Sequence, residues 1–227
     1  MKKFILSIII LFSYNYSAFG HVEHYKNYNY LEYELFRNNK SIGYHKYDFI
    51  RKNDFLTVKS EVKFKISKLG VDLYKYFAES EETYKNEKFD NFKSTTNQNK
   101  KQKYVNIKLD KKGKSLIIDG SSYKGIANID YVVGTWWNHS IIKTKAQISA
   151  ISGRIIEQEV TFIGKEELII GNKTYKTLRF NFKSADKTLP DSKKLNTDIW
   201  YEENSFLWVK AAFDKTGYWE YRIKNYK

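Results

Sequence analysis

Three glutamates near the middle of the chain are the first residues whose spacing could support catalysis. They surround one serine in a segment with strand-like alternation: Glu79, Ser80, Glu81 and Glu82. Residues two apart in a strand face the same side, so Glu79 and Glu81 would share a face, as the paired acids of a glycosidase do. Lysines close by, such as Lys75, favour cross-strand ion pairs on a solvated face instead. A hydrolase is therefore the least favoured hypothesis.

The histidines offer little for metal binding or nucleophilic catalysis. His21 and His24 are three residues apart beside Glu23, a spacing that could hold a metal only weakly in an N-terminal arm. His139 precedes Ser140, but a catalytic triad needs its base, nucleophile and orienting acid to converge in space. The G-x-S-x-G motif of a nucleophile elbow does not occur in the sequence. We expect no catalytic residue, no metal and no cofactor.

Aromatic residues, 17% of the chain, are the richest signal for a binding site. Several segments carry apolar side chains on both faces, so that one face meets a core and the other meets a second element or a ligand. Core packing is the favoured interpretation, and a lined cavity is the alternative. The candidate ligand-binding residues are Trp136, Trp137, Asn138, Trp200 and Trp208.

The charge balance narrows the classes of partner. The 227 residues include 40 Lys and Arg against 26 Asp and Glu, a formal net charge of +14. Only five of the 40 are arginines, and the lysines are spread over most polar faces, which argues against nucleic acid. Solvated faces are the favoured explanation, and anionic envelope components are the alternative. The absence of cysteine excludes a disulfide scaffold, thiolate metal sites and a thiol nucleophile.

The N-terminus has the organisation of a secretory signal peptide. Two lysines precede the apolar stretch 4–12, and Ala18 and Gly20 give the small-residue spacing of a cleavage site. The stretch is shorter than the roughly 20 residues that span a bilayer. We therefore expect residues 1–20 to be removed, although an uncleaved anchor is the alternative. The mature protein would be periplasmic, begin with a short arm at 21–28, and carry a formal charge of +12.

Most of the remaining chain shows the period-two alternation of antiparallel strands. In 56–66, apolar residues such as Val58 and Phe64 alternate with polar ones, which places one face on a core and the other in water. Asn- and Gly-containing pairs separate such segments at turns. We predict one mainly β domain over 29–227, built as a single large curved antiparallel sheet. The sheet would be a half-barrel or open barrel of ten to twelve strands.

One segment departs from this period. Ile141, Lys145 and Ile148 lie on one helical stripe, and Asn138 has a side chain that caps helix N-termini. The pattern predicts one short helix near 138–151, packed on or inside the curved sheet.

Short sequence groups along the chain also form a familiar set. Segment 33–49 places a turn and then Ile42-Gly43-Tyr44 between two aromatic strands. Further groups are STTN (94–97), WWN (136–138), ISGR (151–154), GKEEL (164–168) and DIWY (198–201). Over about 30–225 the set resembles uncharacterised envelope proteins of Gram-negative bacteria, in families classed as domains of unknown function. The resemblance implies a curved half-barrel similar to periplasmic lipoprotein carriers, whose concave face and covering helix hold acyl chains. It implies no catalytic residues.

These observations favour a non-enzymatic exported module that binds a hydrophobic or amphiphilic ligand, such as a lipid or an acylated partner, in its concave face. The first alternative is an envelope interaction protein that recognises anionic surface components. The second is a hydrolase that uses Glu79 and Glu81, or His139.

Overall fold

The computed structural model describes residues 23–227, which form one sheet of 15 strands. The predicted mainly β fold with a large, largely antiparallel sheet is confirmed, and the sheet is not closed. The predicted signal peptide, residues 1–20, lies outside the described residues.

The strands are β1 (Tyr30–Arg37), β2 (Lys40–Lys52), β3 (Phe55–Lys68), β4 (Val71–Lys85), β5 (Lys88–Gln98), β6 (Lys101–Leu109), β7 (Ser115–Gly120), β8 (Lys124–Asn128), β9 (Val132–Val133), β10 (Ala146–Ile148), β11 (Ile155–Ile170), β12 (Lys173–Ser184), β13 (Asn196–Glu202), β14 (Trp208–Asp214) and β15 (Tyr218–Tyr226). Two short 3-10 helices occupy Glu23–Tyr25 and His139–Ile142.

The first strand, β1, and the last, β15, are neighbours at the centre of the sheet. The spatial order is β8-β7-β6-β5-β4-β3-β2-β1-β15-β14-β13-β12-β11-β10-β9. Strands β1 to β8 run outward to one edge, the chain then crosses to β9 at the other edge, and β10 to β15 return to β1. Every neighbouring pair is antiparallel except β9 and β10, which are parallel. Most neighbours are joined directly by turns, as expected for a meander.

The strand number exceeds the predicted ten to twelve because short strands leave little alternation to detect. β8, β9 and β10 contain five, two and three residues.

The helix predicted near 138–151 was wrong. The segment contains only the four-residue 3-10 helix His139–Ile142, followed by strand β10. Ile141 and Ile148 are fully buried whereas Lys145 between them is exposed, so the three do not form one face. The segment packs inside the curled sheet and is buried on several sides. Its apolar residues therefore follow burial on different sides and do not repeat with the helical period of about 3.6 residues. Asn138 still acts as a cap, because its side chain accepts a hydrogen bond from the Ser140 backbone N–H.

The concave face holds an aromatic core and a second apolar cluster. The largest buried side chains of the first include Tyr33, Tyr47, Trp137, Tyr201 and Trp208. The second joins β5 to β8 with β9 and β10 through Phe92, Val105, Ile107, Leu116, Ile118, Ala127, Val133 and Ile148. The curl brings connections near the two edges into contact, since the backbone N–H of Ser122 donates to the Ser152 carbonyl at 2.9 Å.

The described part of the N-terminal arm is packed against the sheet. Tyr25 is fully buried, and its hydroxyl accepts a hydrogen bond from the Trp208 backbone N–H at 2.9 Å. Arg51 donates to the backbone carbonyls of Tyr25 and Tyr28 at 2.6 and 2.9 Å. These contacts tie residues 25–28 to the domain.

Candidate functional site

The concave face of the sheet is largely filled by the chain's own segment 132–148. Trp137 is fully buried, and its indole N–H donates to Oε2 of Glu82 at 3.1 Å. The hydroxyl of Tyr84 donates to the other oxygen of Glu82, and the side-chain amide of Asn138 donates to that hydroxyl at 2.9 Å. Burial raises the pKa of Glu82 to about 7, and these hydrogen bonds act against that rise. The network holds the segment against β4.

A cavity of about 170 Å³ remains between this segment and the inner face of β3 to β5. Small side chains create it. The inner-face residues pair across the three strands in two rows: Ser60, Ser80 and Ser94, and beside them Val62, Ala78 and Thr96. Trp136 covers one side of the space. The cavity is therefore built from hydroxyl-bearing and small residues beneath an indole.

His45 is the one histidine among the residues that line this cavity, which also include Glu79 and three tyrosines. Its Nε2 lies 2.9 Å from the Ser60 hydroxyl, while its Nδ1 is buried and has no hydrogen-bond partner among the described residues. Burial lowers the pKa of His45 to about 3, so the ring is neutral at pH 7. A serine–histidine pair alone does not make a triad, because no acid orients the second ring nitrogen. The arrangement can hold a small polar group, but it lacks the means to activate Ser60.

The opposite, outer face of the same strands carries a larger groove of about 1120 Å³. Tyr44, Lys63, Phe77 and Asn97 are successive cross-strand partners on β2 to β5 and form one row of it. They alternate with the inner-face residues, so their side chains face away from the cavity. Leu73 extends the apolar part of the groove along β4. We call this surface the outer groove.

Lysines surround the apolar part of the outer groove. The cations that line it are Lys63, Lys65, Lys75 and Lys100. One carboxylate, Asp72, lies 3.5 Å from the ammonium of Lys65 and 3.1 Å from that of Lys75. Hydrogen bonds from Ser67 and then Lys75 hold the pKa of Asp72 at about 2, so it stays ionised. The rim is cationic overall, and an apolar ligand with an anionic group would match it.

The five residues predicted from the sequence do not converge on one ligand site. Trp136 lines the small cavity, whereas Trp137 and Asn138 belong to the Glu82 network. Trp208 is fully buried, and its ring stacks on Tyr33 with centroids 4.0 Å apart.

Trp200 lies on the other face of the sheet. Its indole N–H donates to Glu166, and the cationic groups of Arg179 and Lys210 lie 4.9 Å from its ring centroid. Its neighbour in the chain, Tyr201, is also buried, and the aromatic core includes both residues. A role for these tryptophans in ligand binding stays a prediction.

The glutamate cluster is divided between the two faces of β4. On the outer face, Glu81 lies 3.0 Å from the Lys93 ammonium and 4.0 Å from that of Lys59. Glu82 points inward into the network with Trp137. The predicted ion pairing on a solvated face is confirmed for Glu81, although its partners come from β3 and β5.

Two of the histidines considered from the sequence, His24 and His139, contact each other in the structure. His139 Nδ1 lies 2.8 Å from His24 Nε2, so the two rings meet across the domain. Residues 23–227 contain no group of three or more His, Asp or Glu side chains that could hold a metal. No helix within the same range is long and apolar enough to cross a bilayer.

The outer groove was missed, although part of its signal was visible in the sequence. Phe77 and Leu73 alternate with Tyr74 and Tyr76, which shows that β4 is apolar on both faces. The lysine rim depends on the register of neighbouring strands, because its members come from β3, from β4 and from the β5–β6 turn. No single segment of sequence contains that register.

Comparisons with known proteins agree with the fold and leave the activity open. The model of a family described as a domain of unknown function, DUF6134, matches residues 33–224. A solved beta-barrel-like protein of domain family DUF1849 from Brucella abortus is 9% identical, with 87% of this chain and 96% of that chain covered and a TM-score of 0.57. A DUF1329 family protein from Desulfovibrio piger, also 9% identical, aligns over 91% of this chain and 89% of its own, but with a TM-score of only 0.19. Among curated proteins none matches the chain.

Proposed function

We propose that this chain, which belongs to the DUF6134 family of domains of unknown function, is a non-enzymatic binding module for an anionic amphiphile. The ligand would lie in the outer groove. The observation that carries the proposal is the combination of an apolar surface on β2 to β4 with four lysines around it. The proposed location is the periplasm, which rests on the N-terminal sequence pattern.

The apolar part of the ligand would lie against Tyr44, Leu73 and Phe77. Each methylene group removed from water contributes about 0.8 kcal/mol, so an acyl chain gains affinity from a groove without a precise polar pattern. The groove, at about 1120 Å³, is at the upper end of the range of about 300–1,000 Å³ that is common for ligand sites. It therefore has room for an extended chain.

The anionic part would lie against the lysine rim. Lys63 is directly opposite Phe77 across the β3–β4 ladder, and Lys65 is opposite Lys75. A phosphate or carboxylate placed there would receive charge-assisted hydrogen bonds, which are stronger than neutral ones. Lysine ammonium groups act as flexible point charges, so this rim favours anionic headgroups as a class over one headgroup geometry.

The concave face, which the sequence favoured for the ligand, supports this function less well. Segment 132–148 fills most of it, and the remaining cavity of about 170 Å³ is comparable with an engineered cavity of about 150 Å³ that binds benzene. That space suits a small group rather than an acyl chain. The proposal therefore keeps the predicted ligand class and moves it to the outer face.

The test measures binding of dodecyl phosphate below its micelle-forming concentration, with dodecyl maltoside as the uncharged comparison, by isothermal titration calorimetry. We expect the phosphate to bind more tightly and its affinity to fall with added salt, because exposed charges are screened. Phe77→Ser and Lys63→Glu should each weaken binding about tenfold, which corresponds to about 1.4 kcal/mol.

Phe162→Ser is the matched control, since Phe162 is an exposed phenylalanine on β11, outside the outer groove. It should leave the affinity unchanged. Equal affinity for the two amphiphiles, or an unchanged affinity in both groove variants, would contradict the proposal.

A further inference from the structure

The β3–β4 hairpin extends beyond its neighbours in the sheet. β3 and β4 pair as far as Lys68 and Val71, whereas pairing of β2 with β3 stops at Phe64 and pairing of β5 with β4 stops at Tyr76. Beyond the hydrogen bonds that Asn99 makes with Lys75 and Leu73, residues 66–72 form a two-stranded ribbon that projects from one end of the sheet. Its tip has no neighbouring strand on either side.

The projecting tip is apolar. Leu69 is 94% exposed, Val71 is 61% exposed and Leu73 is 55% exposed. They lie within five residues of one another and make the end of the ribbon an exposed, largely apolar surface. Nothing in the described residues buries them, and we call this surface the hairpin tip.

The backbone conformation of Leu69 at the hairpin tip is unfavourable for leucine, so folding alone does not account for this residue type there. Leu69 has φ +50°, in the left-handed region that is unfavourable for residues with a Cβ atom and is best tolerated by glycine and asparagine. Four other turns have asparagine at such a position, namely Asn38, Asn53, Asn86 and Asn99, while Phe206 and Thr216 also have positive φ in the last two turns of the sheet. Leucine at this position is strained and also exposed. Such an outlier supports a functional hypothesis, and a partner that buries the side chain would account for it.

Lysines flank the hairpin tip on both strands. Segment 63–75 contains four lysines and one aspartate, a formal charge of +3. The side chains of Lys65 and Lys75 are 65% and 69% exposed. Lysine stems are long enough to lie along an apolar region while the ammonium reaches water or phosphate. An apolar tip with cations just behind it matches the interface of an anionic bilayer, where acyl chains lie below negatively charged headgroups.

From these features we infer that the hairpin tip docks into the surface of an anionic lipid membrane. A protein partner fits less well, because stable protein interfaces bury at least about 1,200 Å² in total, and three side chains on a narrow ribbon present much less. Leu69 and Val71 enter the headgroup boundary, and Lys65, Lys68 and Lys75 contact lipid phosphates. This docking shares Lys65 and Lys75 with the rim of the outer groove, whereas Leu69 and Val71 lie outside that groove.

Vesicle flotation of the exported protein, with residues 1–20 removed so that the apolar stretch 4–12 cannot bind lipid by itself, tests the inference. We expect co-flotation with phosphatidylcholine vesicles that contain phosphatidylglycerol, little with pure phosphatidylcholine, and a loss of binding at high salt. Leu69→Asn combined with Val71→Thr should weaken binding at least tenfold. Asparagine suits the left-handed backbone, so this variant should fold normally, which circular dichroism checks.

Ile169→Asn is the matched control, because Ile169 is 79% exposed on β11, outside the hairpin tip. It should bind vesicles like the unmodified protein. Phe77→Ser should lose monomeric dodecyl phosphate but keep vesicle binding, and the tip variant should do the reverse, so the two proposals can fail separately. The inference is overturned if the unmodified protein floats with neither vesicle, or if the folded tip variant binds as well as the unmodified protein.

Discussion

Strand β4 exposes apolar side chains at one end and buries a carboxylate near the other, the opposite of the usual distribution. At its beginning, Val71 and Leu73 are 61% and 55% exposed, whereas near its end the carboxylate residue Glu82 is only 2% exposed. The buried end has internal partners, since Tyr84 and Trp137 donate hydrogen bonds to Glu82. The exposed apolar end has none among the described residues. A buried carboxylate that receives internal hydrogen bonds has a structural role. Exposed apolar side chains that no part of the fold covers are candidates for binding a partner.

The largest effect should come from the buried end. Trp137→Ala removes a fully buried indole and leaves Glu82 without one of its donors. We expect a loss of about 4 kcal/mol in the free energy of unfolding, measured by urea denaturation. Trp137→Phe keeps much of the packing but not the hydrogen bond, so its loss should be smaller. A loss below about 1 kcal/mol for Trp137→Ala would show that segment 132–148 does not depend on this network.

A pH effect of intermediate size should come from Glu82 itself. Its pKa is raised from 4.5 to about 7 in the folded protein, so the folded state binds the proton more tightly than the unfolded state. Stability should therefore fall as pH rises from about 4.5 to about 7, by a total on the order of 3 kcal/mol. Glu82→Gln cannot titrate, so its unfolding free energy should lack this fall in urea titrations between pH 4.5 and 8.

Because His45 also titrates, the pH dependence of the unfolding free energy should be compared directly between the unmodified protein and Glu82→Gln. Burial lowers its pKa from 6.5 to about 3, so its contribution to stability falls as pH drops below 6.5, with the opposite slope. Because His45 is present in both proteins, the difference between the curves isolates Glu82. Parallel curves over the whole range would contradict a buried, proton-binding Glu82.

The smallest effect on stability should come from the exposed end. Leu69→Asn replaces a leucine at φ +50° with a residue that tolerates this conformation, and it removes no buried contact. We expect a change within about 0.5 kcal/mol, in the stabilising direction. Asn86→Leu, at φ +48° in the β4–β5 turn, places leucine in an equivalent conformation and should destabilise by a similar amount. Urea denaturation that showed Leu69→Asn to be strongly destabilising would reveal an internal role for Leu69.

The fold class was readable from the sequence because antiparallel strands leave a period-two pattern. Residues 56–66 show it clearly, and they lie within β3. The segment after Asn138 misled the prediction, since Ile141 and Ile148 are buried by different parts of a curled sheet rather than by one helical face. The short strands β8 to β10 contain too few residues to produce a period.

The candidate site was less predictable because it depends on register. Adjacent residues of a strand face opposite sides, so the separation of Glu81 from Glu82 follows from alternation alone. The meeting of Tyr44, Lys63 and Phe77 does not, because it requires the pairing of β2 with β3 and of β3 with β4. A shift of one residue in either pairing would place different side chains together.

The central position of β1 and β15 has a consequence for how the chain reaches this structure. β1 to β8 and β10 to β15 are built almost wholly from hairpins between sequence neighbours, which form with little loss of chain entropy. The β1–β15 ladder instead joins distant groups such as Glu32 and Lys224, which are 192 positions apart in the chain. The two meanders can therefore organise while synthesis continues, but the seam between them must wait for the last strand. Completion of the sheet therefore requires β1 and β15, its first and last strands, to pair.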